Sequence, residues 1–245
     1  MKTCIVIPAR FQSSRFPGKP LVLIDGVPLI VRVAKIAQEV LGYADVYVAT
    51  DNNQILDLCK INRIKCVLTS NKHPTGTDRL AEVSKKIPYD YFINLQGDEP
   101  TVDPNDIISC MEYGQKYPNH VINFYHPIRD CDPNSRSIPK VVFNKNNDLV
   151  YISRALIPSN KEENNSNQKF NRQVCIYGLS KAHLKAFSSI KRSSIEVAED
   201  IEILRFFDLS IPIKVFLSRK CGPAVDYPED VSKVSKYILE NKNYV

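Results

Sequence analysis

The first residues that could do chemistry are three basic side chains in a short segment near the start of the chain, Arg10, Arg15 and Lys19. They follow an apolar run, residues 4–7, of the kind that forms a buried parallel strand, and Pro8 ends that run. A strand that opens into a loop of small residues and cations can hold phosphate groups. The alternative is a solvated loop with scattered basic residues, because the segment matches neither a Walker A loop nor a G-x-G-x-x-G turn.

Carboxylates at two distant points of the sequence could supply the metal ligands that such a phosphate site lacks. Asp98 and Glu99 follow the fourth apolar run, and Asp226 precedes the last helical segment. A carboxylate at the carboxyl end of a strand can bind Mg²⁺, which takes one or two carboxylates together with phosphate oxygens. An ordinary acidic turn is the alternative for the first pair. Glu229 and Asp230 lie in the first turn of the last helix, where the helix dipole explains them.

A third segment combines a tight turn with the start of a helix. Gly76 enters the helix, for which Thr77 is a candidate N-cap, and the exposed backbone there could contact a base edge. Arg79 could reach a phosphate or a carboxylate, whereas Asp78 in the first turn is explained by the helix dipole. His73 has no partner at metal-binding spacing, and we assign it to the surface.

Strand-like and helix-like patterns alternate through the first half of the chain. The predicted strands are 4–7, 46–49, 65–68 and 91–95. The predicted helices are one beginning at Pro28 and others at 55–62, 77–86 and 105–117. This rhythm predicts an α/β fold with three layers: a mostly parallel, Rossmann-like sheet with helices on both faces and ligands at the carboxyl ends of the strands.

The second half is richer in strands. Further strands are predicted at 121–124, 140–143, 149–152, 174–177 and 213–216, and further helices at 182–188, 199–207 and 228–240. We therefore expect a single domain over 1–245 with a strand-rich insertion at about 121–160, and a low-complexity surface loop at 159–169.

The composition narrows the class of protein. The chain has 245 residues, 43% of them hydrophobic, and a formal net charge of +6. This mild, dispersed charge fits an anionic small molecule better than a nucleic-acid polymer. The seven cysteines contain no CxxC pair, which indicates reduced thiols. No apolar run approaches the length of a membrane span or signal segment, so we expect a cytoplasmic protein without membrane insertion.

Seven motifs occur in order along the chain with a spacing typical of one family. They are PARFQSSRFPGKPL, ATD, GTDRLAEV, NLQGDEP, YISRALIP, CIYG and VDYPEDV. Together they resemble the 3-deoxy-manno-octulosonate cytidylyltransferases, the CMP-Kdo synthetases, over residues 4 to about 235. The resemblance implies a nucleotidyltransferase fold, a homodimer through the strand-rich subregion, and a role in lipopolysaccharide or capsule biosynthesis.

The resemblance also implies a Mg²⁺-dependent reaction of CTP with a 2-keto-3-deoxy sugar acid, giving the CMP-sugar and pyrophosphate. The implied nucleotide-binding residues are Pro8, Ala9, Arg10, Arg15, Lys19, Thr75, Gly76 and Arg79. The implied metal ligands are Asp98 and Asp226, which with Lys19 and Arg10 form the expected catalytic set. The positions expected on the sugar-acid side are Gln96, Arg154, Gln173, Tyr177 and Glu202.

Three positions depart from the family pattern, all on the predicted acceptor side. Gln173 stands where the family usually has a histidine, Ile203 replaces a glutamine and Tyr227 replaces a threonine. A site built to hydrogen-bond a hydroxyl discriminates strongly against analogues that lack it, so these changes bear on the identity of the acceptor. A cytidylyltransferase acting on a different acidic or phosphorylated acceptor is therefore the alternative.

Two other classes of protein share part of this pattern. A non-catalytic nucleotide-binding regulator would not need both Asp98 and Asp226. A glycosyltransferase also uses a strand, a carboxylate and a metal ion, but its nucleotide-sugar donor presents only a diphosphate to the N-terminal loop.

Overall fold

A mixed sheet with helices on both faces forms this structure, a computed structural model that describes residues 1–13, 15–129, 131–159, 161 and 169–241. The strands are β1 (Thr3–Ala9), β2 (Leu23–Ile24), β3 (Val27–Pro28), β4 (Val46–Thr50), β5 (Lys65–Leu68), β6 (Tyr91–Leu95), β7 (Val121–Pro127), β8 (Lys140–Phe143), β9 (Leu149–Ser153), β10 (Asn171–Ser180) and β11 (Ile213–Leu217). The helices are α1 (Leu29–Leu41), α2 (Asn53–Ile61), α3 (Gly76–Lys86), α4 (Pro104–Lys116), α5 (Lys181–Phe187), α6 (Ser194–Glu199), α7 (Arg205–Asp208) and α8 (Asp230–Glu240). Two 3-10 turns cover Lys19–Leu21 and Glu202–Leu204.

The main path of the sheet runs β11-β7-β10-β6-β1-β4-β5. Strands β6, β1, β4 and β5 are parallel to one another, and β11 is parallel to β7. Strand β10 runs antiparallel to both β6 and β7 and joins the two parallel halves. This arrangement confirms the predicted mostly parallel α/β fold, and it places the carboxyl ends of β1, β4 and β6 at one edge.

Both faces of the central strands are buried because their side chains alternate between two apolar clusters. On β1, Ile5 and Ile7 point into the cluster covered by α1, α4 and α8, whereas Cys4 and Val6 point into the cluster covered by α3 and α5. Among the described residues, none of these helices is long and apolar enough to cross a membrane.

The strand-rich region divides between the main sheet and a hairpin. Strand β7 lies within the main sheet, between β10 and β11. Strands β8 and β9 form an antiparallel hairpin beside it, joined to β10 where Lys140 pairs with Arg172. The hairpin leads into Arg154 and so contributes one wall of the site described below. The predicted surface loop at 159–169 lies largely outside the described residues.

Two predictions about helices are wrong. Thr77 does not cap α3, because the side chain of Thr75 accepts the hydrogen bond from the Asp78 backbone N–H. The single helix predicted at 199–207 is instead α6, a 3-10 turn and α7. The break falls at Asp200, whose φ of 50° lies in the left-handed region that ends helices.

A buried arginine joins three helices on one face of the sheet. The guanidinium of Arg205 is 1% exposed and donates two hydrogen bonds to Asp78, at 2.7 and 3.0 Å, and two to Glu196, at 2.7 and 2.8 Å. It also lies 3.7 Å from the ring centroid of Phe187. Asp78 is therefore an ion-pair partner of Arg205 in addition to its position in the first turn of α3.

We expect Arg205→Met to lower the free energy of unfolding by about 3–5 kcal/mol, because Asp78 and Glu196 would remain buried without a counter-charge. Urea unfolding followed by circular dichroism measures this change. Lys60→Met is the matched control, since both members of its pair with Asp57 are exposed and the pair contributes about 1 kcal/mol or less. Equal midpoints for the two variants would contradict the prediction.

Candidate active site

A cavity of about 290 Å³ opens at the carboxyl ends of β1 and β6. It collects side chains from the N-terminal loop, the start of α3, the loop after β6, strand β10 and two later loops. All residues expected to bind the nucleotide, the metal or the sugar acid line this cavity: Pro8, Ala9, Arg10, Arg15, Lys19, Thr75, Gly76, Arg79, Gln96, Asp98, Arg154, Gln173, Tyr177, Glu202 and Asp226. The fold therefore brings together segments that are far apart in the sequence.

Lys19 connects three of these segments. It begins the 3-10 turn after Gly18, whose φ of 71° lies in the region that favours glycine. Its Nζ donates to Asp98 Oδ2 at 2.7 Å and to the backbone oxygen of Val225 at 2.8 Å, and it lies 4.0 Å from Asp226 Oδ1. The two predicted metal-binding carboxylates therefore face one ammonium group.

Arg15 adds a second positive charge beside Asp226. Its Nη1 lies 3.4 Å from Asp226 Oδ1, and its guanidinium lies 5.7 Å from the ring centroid of Tyr227. The Asp230 carboxylate accepts hydrogen bonds from the backbone N–H groups of Asp226 and Tyr227, and it fixes this loop at the start of α8. Burial and the charge of Asp98 raise the pKa of Asp226, and the nearby cations oppose that shift.

The donor set of Asp98 and Asp226 fits a divalent cation. Carboxylate oxygens are the ligands that hard cations prefer, and a dication would favour the charged form of Asp226, whose pKa is raised by burial and by the charge of Asp98. Within the described ranges, no group of three or more His, Cys, Asp or Glu side chains forms a metal cage. Phosphate oxygens and water would therefore have to complete the ligand shell.

Glu99 lies deeper in the same wall than Asp98. The residue is 7% exposed, and burial together with the charge of Asp98 raises the pKa of its carboxyl to about 7. Arg172 opposes this shift, and its own Nε is buried without a hydrogen-bond partner. Both residues line the cavity. Arg172 had no predicted role, because it lies outside the seven sequence motifs.

Two glycines allow close approach of the backbone at the cavity floor. A Cβ on Gly97 would lie 2.9 Å from the carbonyl oxygen of Pro8, so a larger residue would separate the ends of β1 and β6. A Cβ on Gly76 would lie 3.1 Å from both Gln96 Nε2 and Pro8 Cγ. A side chain at residue 76 would therefore crowd the contact between the start of α3 and Gln96.

The first turn of α3 is fixed by two carboxylates. The Thr75 hydroxyl donates to Asp78 Oδ2 at 2.7 Å. Glu202 accepts from the backbone N–H of Thr77 and from Gln96 Nε2, both at 2.9 Å. Burial raises the pKa of Glu202, and its hydrogen bonds oppose that shift. Glu202 therefore joins α3 to the loop after β6.

Two further side chains near α3 are held by acidic partners. Arg79 is 3% exposed and donates to Asp51 Oδ2 at 3.0 Å and to Thr69 Oγ1 at 2.5 Å. It lines the cavity, but these bonds occupy both terminal nitrogens. The assignment of His73 to the surface is wrong: it is half-buried, lines the cavity and lies 2.5 Å from Glu82 Oε2. The fold brings the Glu82 carboxylate next to His73, a contact that the spacing of the sequence motifs did not indicate.

Two arginines form the wall between β9 and α6. Arg154 donates to the backbone oxygens of Glu199, Arg136 and Asp200, at 2.6, 2.9 and 3.0 Å. Arg192 also lines the cavity and donates to Asp200 Oδ1 at 3.0 Å. Arg192 was not among the predicted site residues, because it belongs to none of the seven motifs, and the capped start of α6 places it.

Only one of the three departures from the family pattern lines the cavity. Gln173 does, and its Nε2 donates to Tyr177 Oη at 3.3 Å. The expectation that Ile203 lies on the acceptor side is wrong: it is 1% exposed and packs in the α3–α5 cluster. Within the 3-10 turn, Glu202 lines the cavity whereas Ile203 packs in the core. Tyr227 packs against Arg15, outside the cavity wall.

Comparison with solved structures places this sheet and cavity in a known class. The structure of CMP:2-keto-3-deoxy-manno-octonic acid synthetase complexed with CTP is similar with a TM-score of 0.90 and 37% identity, covering 98% of this chain and all of that one. The fold and the site therefore define a nucleotidyltransferase.

Sequence comparison gives the family. The model of the Cytidylyltransferase family matches residues 4–213. The 3-deoxy-manno-octulosonate cytidylyltransferase of Escherichia coli is 38% identical over 95% of this chain and 94% of its own length. The enzyme of the same name from Parabacteroides distasonis is 34% identical over 97% of this chain and 98% of its own length. The chain belongs to the cytidylyltransferase family, among the 3-deoxy-manno-octulosonate cytidylyltransferases.

We expect Glu99→Gln to change how stability depends on pH in the ligand-free protein. A carboxyl whose pKa rises from 4.5 to about 7 on folding favours the folded state at low pH, and that contribution is lost as pH rises through this window. The loss corresponds to up to about 3 kcal/mol. Urea unfolding from pH 4 to 8 should show the variant gaining stability over the wild type as pH increases. A constant difference across this range would contradict the prediction.

Proposed function

We propose that this protein transfers the CMP group of CTP to a 2-keto-3-deoxy sugar acid, 3-deoxy-manno-octulosonate or a close relative, and releases pyrophosphate. The observation that carries the proposal is the Lys19 ammonium, which contacts Asp98 and lies beside Asp226 in one cavity. The similar proteins named for this reaction, one of them solved with CTP, support the choice of both substrates. Family membership also favours nucleotidyl transfer over a regulator or a glycosyltransferase.

In the proposed reaction, the anomeric hydroxyl of the sugar acid attacks the α-phosphorus of CTP. A new P–O bond forms, the bond between the α-phosphorus and the bridging oxygen breaks, pyrophosphate leaves, and the hydroxyl proton passes to solvent water. Arg10, Arg15 and Lys19 would bind the triphosphate and stabilise the charge that develops on pyrophosphate. Arg10 is exposed at the cavity mouth, which suits a group that engages only when the nucleotide enters. The protein's contribution is then positioning and charge stabilisation.

The divalent cation in this proposal is Mg²⁺. Asp98 and Asp226 would hold it, and it would neutralise charge on the phosphate oxygens. Lys19 occupies the space between the two carboxylates in this structure and keeps them close together.

On the nucleotide side, we propose that the cytosine lies against the ends of β1 and α3. Pro8, Ala9, Thr75 and Gly76 line that part of the cavity, and the backbone at the start of α3 is there within reach of a base. Arg79 would act by fixing the N-terminal loop, since its partner Asp51 also accepts from the N–H of Phe11, at 3.3 Å.

On the acceptor side, we propose that the sugar acid lies between α3, β10 and the arginine wall. Arg154 and Arg192 supply positive charge, and Gln96, Tyr177 and Glu202 supply hydrogen-bonding groups. A different acidic or phosphorylated acceptor remains the second candidate. Gln173 favours this candidate, because it stands where the family usually has a histidine and it lines the cavity. The other two departures, Ile203 and Tyr227, do not line the cavity.

We also propose that the protein is a cytoplasmic homodimer. Its seven cysteines are all free thiols, which suits a reducing compartment. Val150 on β9 and Val197 on α6 are each more than half exposed, which supports an interface that includes the strand-rich region.

We expect Asp98→Asn to lower kcat for CTP-dependent pyrophosphate release by at least about 100-fold, because the phosphate-bound cation would lose a charged ligand. Unfolding curves should show that the variant is folded. Asp57→Asn is the matched control, since Asp57 pairs with Lys60 in an exposed part of α2. Wild-type turnover by Asp98→Asn in Mg²⁺ would make the metal assignment wrong.

The acceptor is tested by measuring pyrophosphate release with CTP and a panel of sugar acids and phosphorylated sugars. We expect the highest kcat/KM with 3-deoxy-manno-octulosonate or a close structural relative, because the cavity joins arginines to neutral hydrogen-bonding groups. Release with a phosphorylated sugar and none with any 2-keto-3-deoxy acid would support the second candidate instead.

A further inference from the structure

Strand β10 contains an irregularity where it passes the cavity. Val174 is in register with Phe124 of β7 and Tyr177 with Asn123, so Cys175 and Ile176 are two extra residues on β10. Side chains four residues apart on a regular strand are separated by about 13 Å. Here Gln173 and Tyr177, which are four apart, form a hydrogen bond of 3.3 Å. Bulges of this kind commonly redirect side chains beside active sites.

Asn123 supplies the hydrogen bonds that this bulge needs. Its side chain is fully buried on β7, and its Nδ2 donates to the backbone oxygens of Val174 and Ile176, both at 2.9 Å. Both carbonyls are acceptors only, so the amide nitrogen of Asn123 must face the bulge. Its Oδ1 must then face the other way, toward Gln173.

The orientation of Asn123 determines the orientation of the next two groups. Its Oδ1 can only accept, so the Gln173 atom 3.1 Å away must be Nε2, and the second hydrogen of Nε2 is donated to Tyr177 Oη. The carbonyl oxygen of Gln173 remains as its free acceptor. The Tyr177 hydroxyl accepts from Gln173, so its own hydrogen is available for donation, and in this structure the Cys175 thiol accepts it. Burial raises the pKa of Tyr177 well above its ordinary value, which keeps that hydrogen in place.

We propose that Asn123 is a positioning residue that fixes one acceptor and one donor, Gln173 Oε1 and the Tyr177 hydroxyl, as a subsite selecting a hydroxyl group of the sugar acid. The inference rests on the proposed function for the identity of the substrate. A hydroxyl can donate to Gln173 and accept from Tyr177 at the same time. A carboxylate cannot donate to Gln173, and an ammonium group cannot accept from Tyr177. The Cys175 thiol beside Tyr177 is a weaker acceptor than a hydroxyl oxygen.

The test compares 3-deoxy-manno-octulosonate with each of its monodeoxy analogues, using CTP-dependent pyrophosphate release. For the wild type, we expect one analogue to lose at least about 100-fold in kcat/KM, because Gln173 Oε1 would be left without a donor and Tyr177 would keep only the weaker Cys175 acceptor. Gln173→Glu would place a carboxylate against Asn123 Oδ1, and Asn123→Asp would remove the donor to the bulge. Each variant should reduce the discrimination against that analogue to about 10-fold or less and raise the acceptor KM, with the KM for CTP unchanged.

Phe124→Leu is the matched control. Phe124 follows Asn123 on β7, is fully buried and packs in the cluster covered by α1, α4 and α8. Its truncation therefore lowers stability without touching the cavity. We expect a lower unfolding midpoint and unchanged discrimination between the hydroxylated acid and its analogue. A general loss of stability reduces turnover of both acceptors alike, whereas loss of the fixed donor and acceptor changes their ratio.

Three outcomes would count against the inference. If no monodeoxy analogue is discriminated by the wild type, the subsite is wrong whether or not the variants fold. If active Gln173→Glu and Asn123→Asp enzymes keep the wild-type ratio of kcat/KM between the hydroxylated acid and its analogue, Asn123 does not determine which group of the subsite donates and which accepts. If the wild type releases no pyrophosphate with any sugar acid, the proposed function fails and the inference fails with it.

Discussion

The geometry of this cavity depends on the contacts made by the Lys19 ammonium group. It reaches Asp98 at the end of β6 and the backbone at Val225, and it lies within 4.0 Å of Asp226. Burial and, after it, the like charge of Asp98 raise the pKa of Asp226, and the positive charge of Lys19 opposes that shift. The N-terminal loop, the loop after β6 and the loop before α8 are thereby held around one point, where a triphosphate and its cation would bind.

The opposite wall is organised by buried polar side chains whose bonds extend from the core to the cavity. Arg205 binds Asp78, whose carboxylate accepts from the Thr75 hydroxyl in the cavity wall. Asn123 binds the bulge of β10 and thereby orients Gln173. In each case a group that lines the cavity is oriented by a neighbour that does not line it. Such networks specify geometry only when all their members are satisfied, so single substitutions behind the cavity should alter its chemistry.

The sequence predicted the parallel core well because fully buried strands such as β1 are continuous apolar runs with clear ends. Motifs at those ends identified Lys19 and Asp98, since the carboxyl edge of a parallel sheet is where ligands bind. Spacing could not predict which way a side chain points within a short turn, and Ile203 was therefore misplaced. Arg192 carried no motif, and Asn123 reads as an ordinary strand residue. Its role depends on two extra residues in a neighbouring strand, which only the three-dimensional register reveals.

The most direct test of the proposed shared cation site is a crystal structure with CTP in which Mn²⁺ replaces Mg²⁺, analysed by anomalous scattering. The account predicts one anomalous peak beside the triphosphate, with an oxygen of Asp98 and an oxygen of Asp226 each about 2.0–2.3 Å from it. The Lys19 ammonium should then contact phosphate oxygens. A peak bound by only one of the two carboxylates, or by neither, would contradict the claim that Asp98 and Asp226 share one ion.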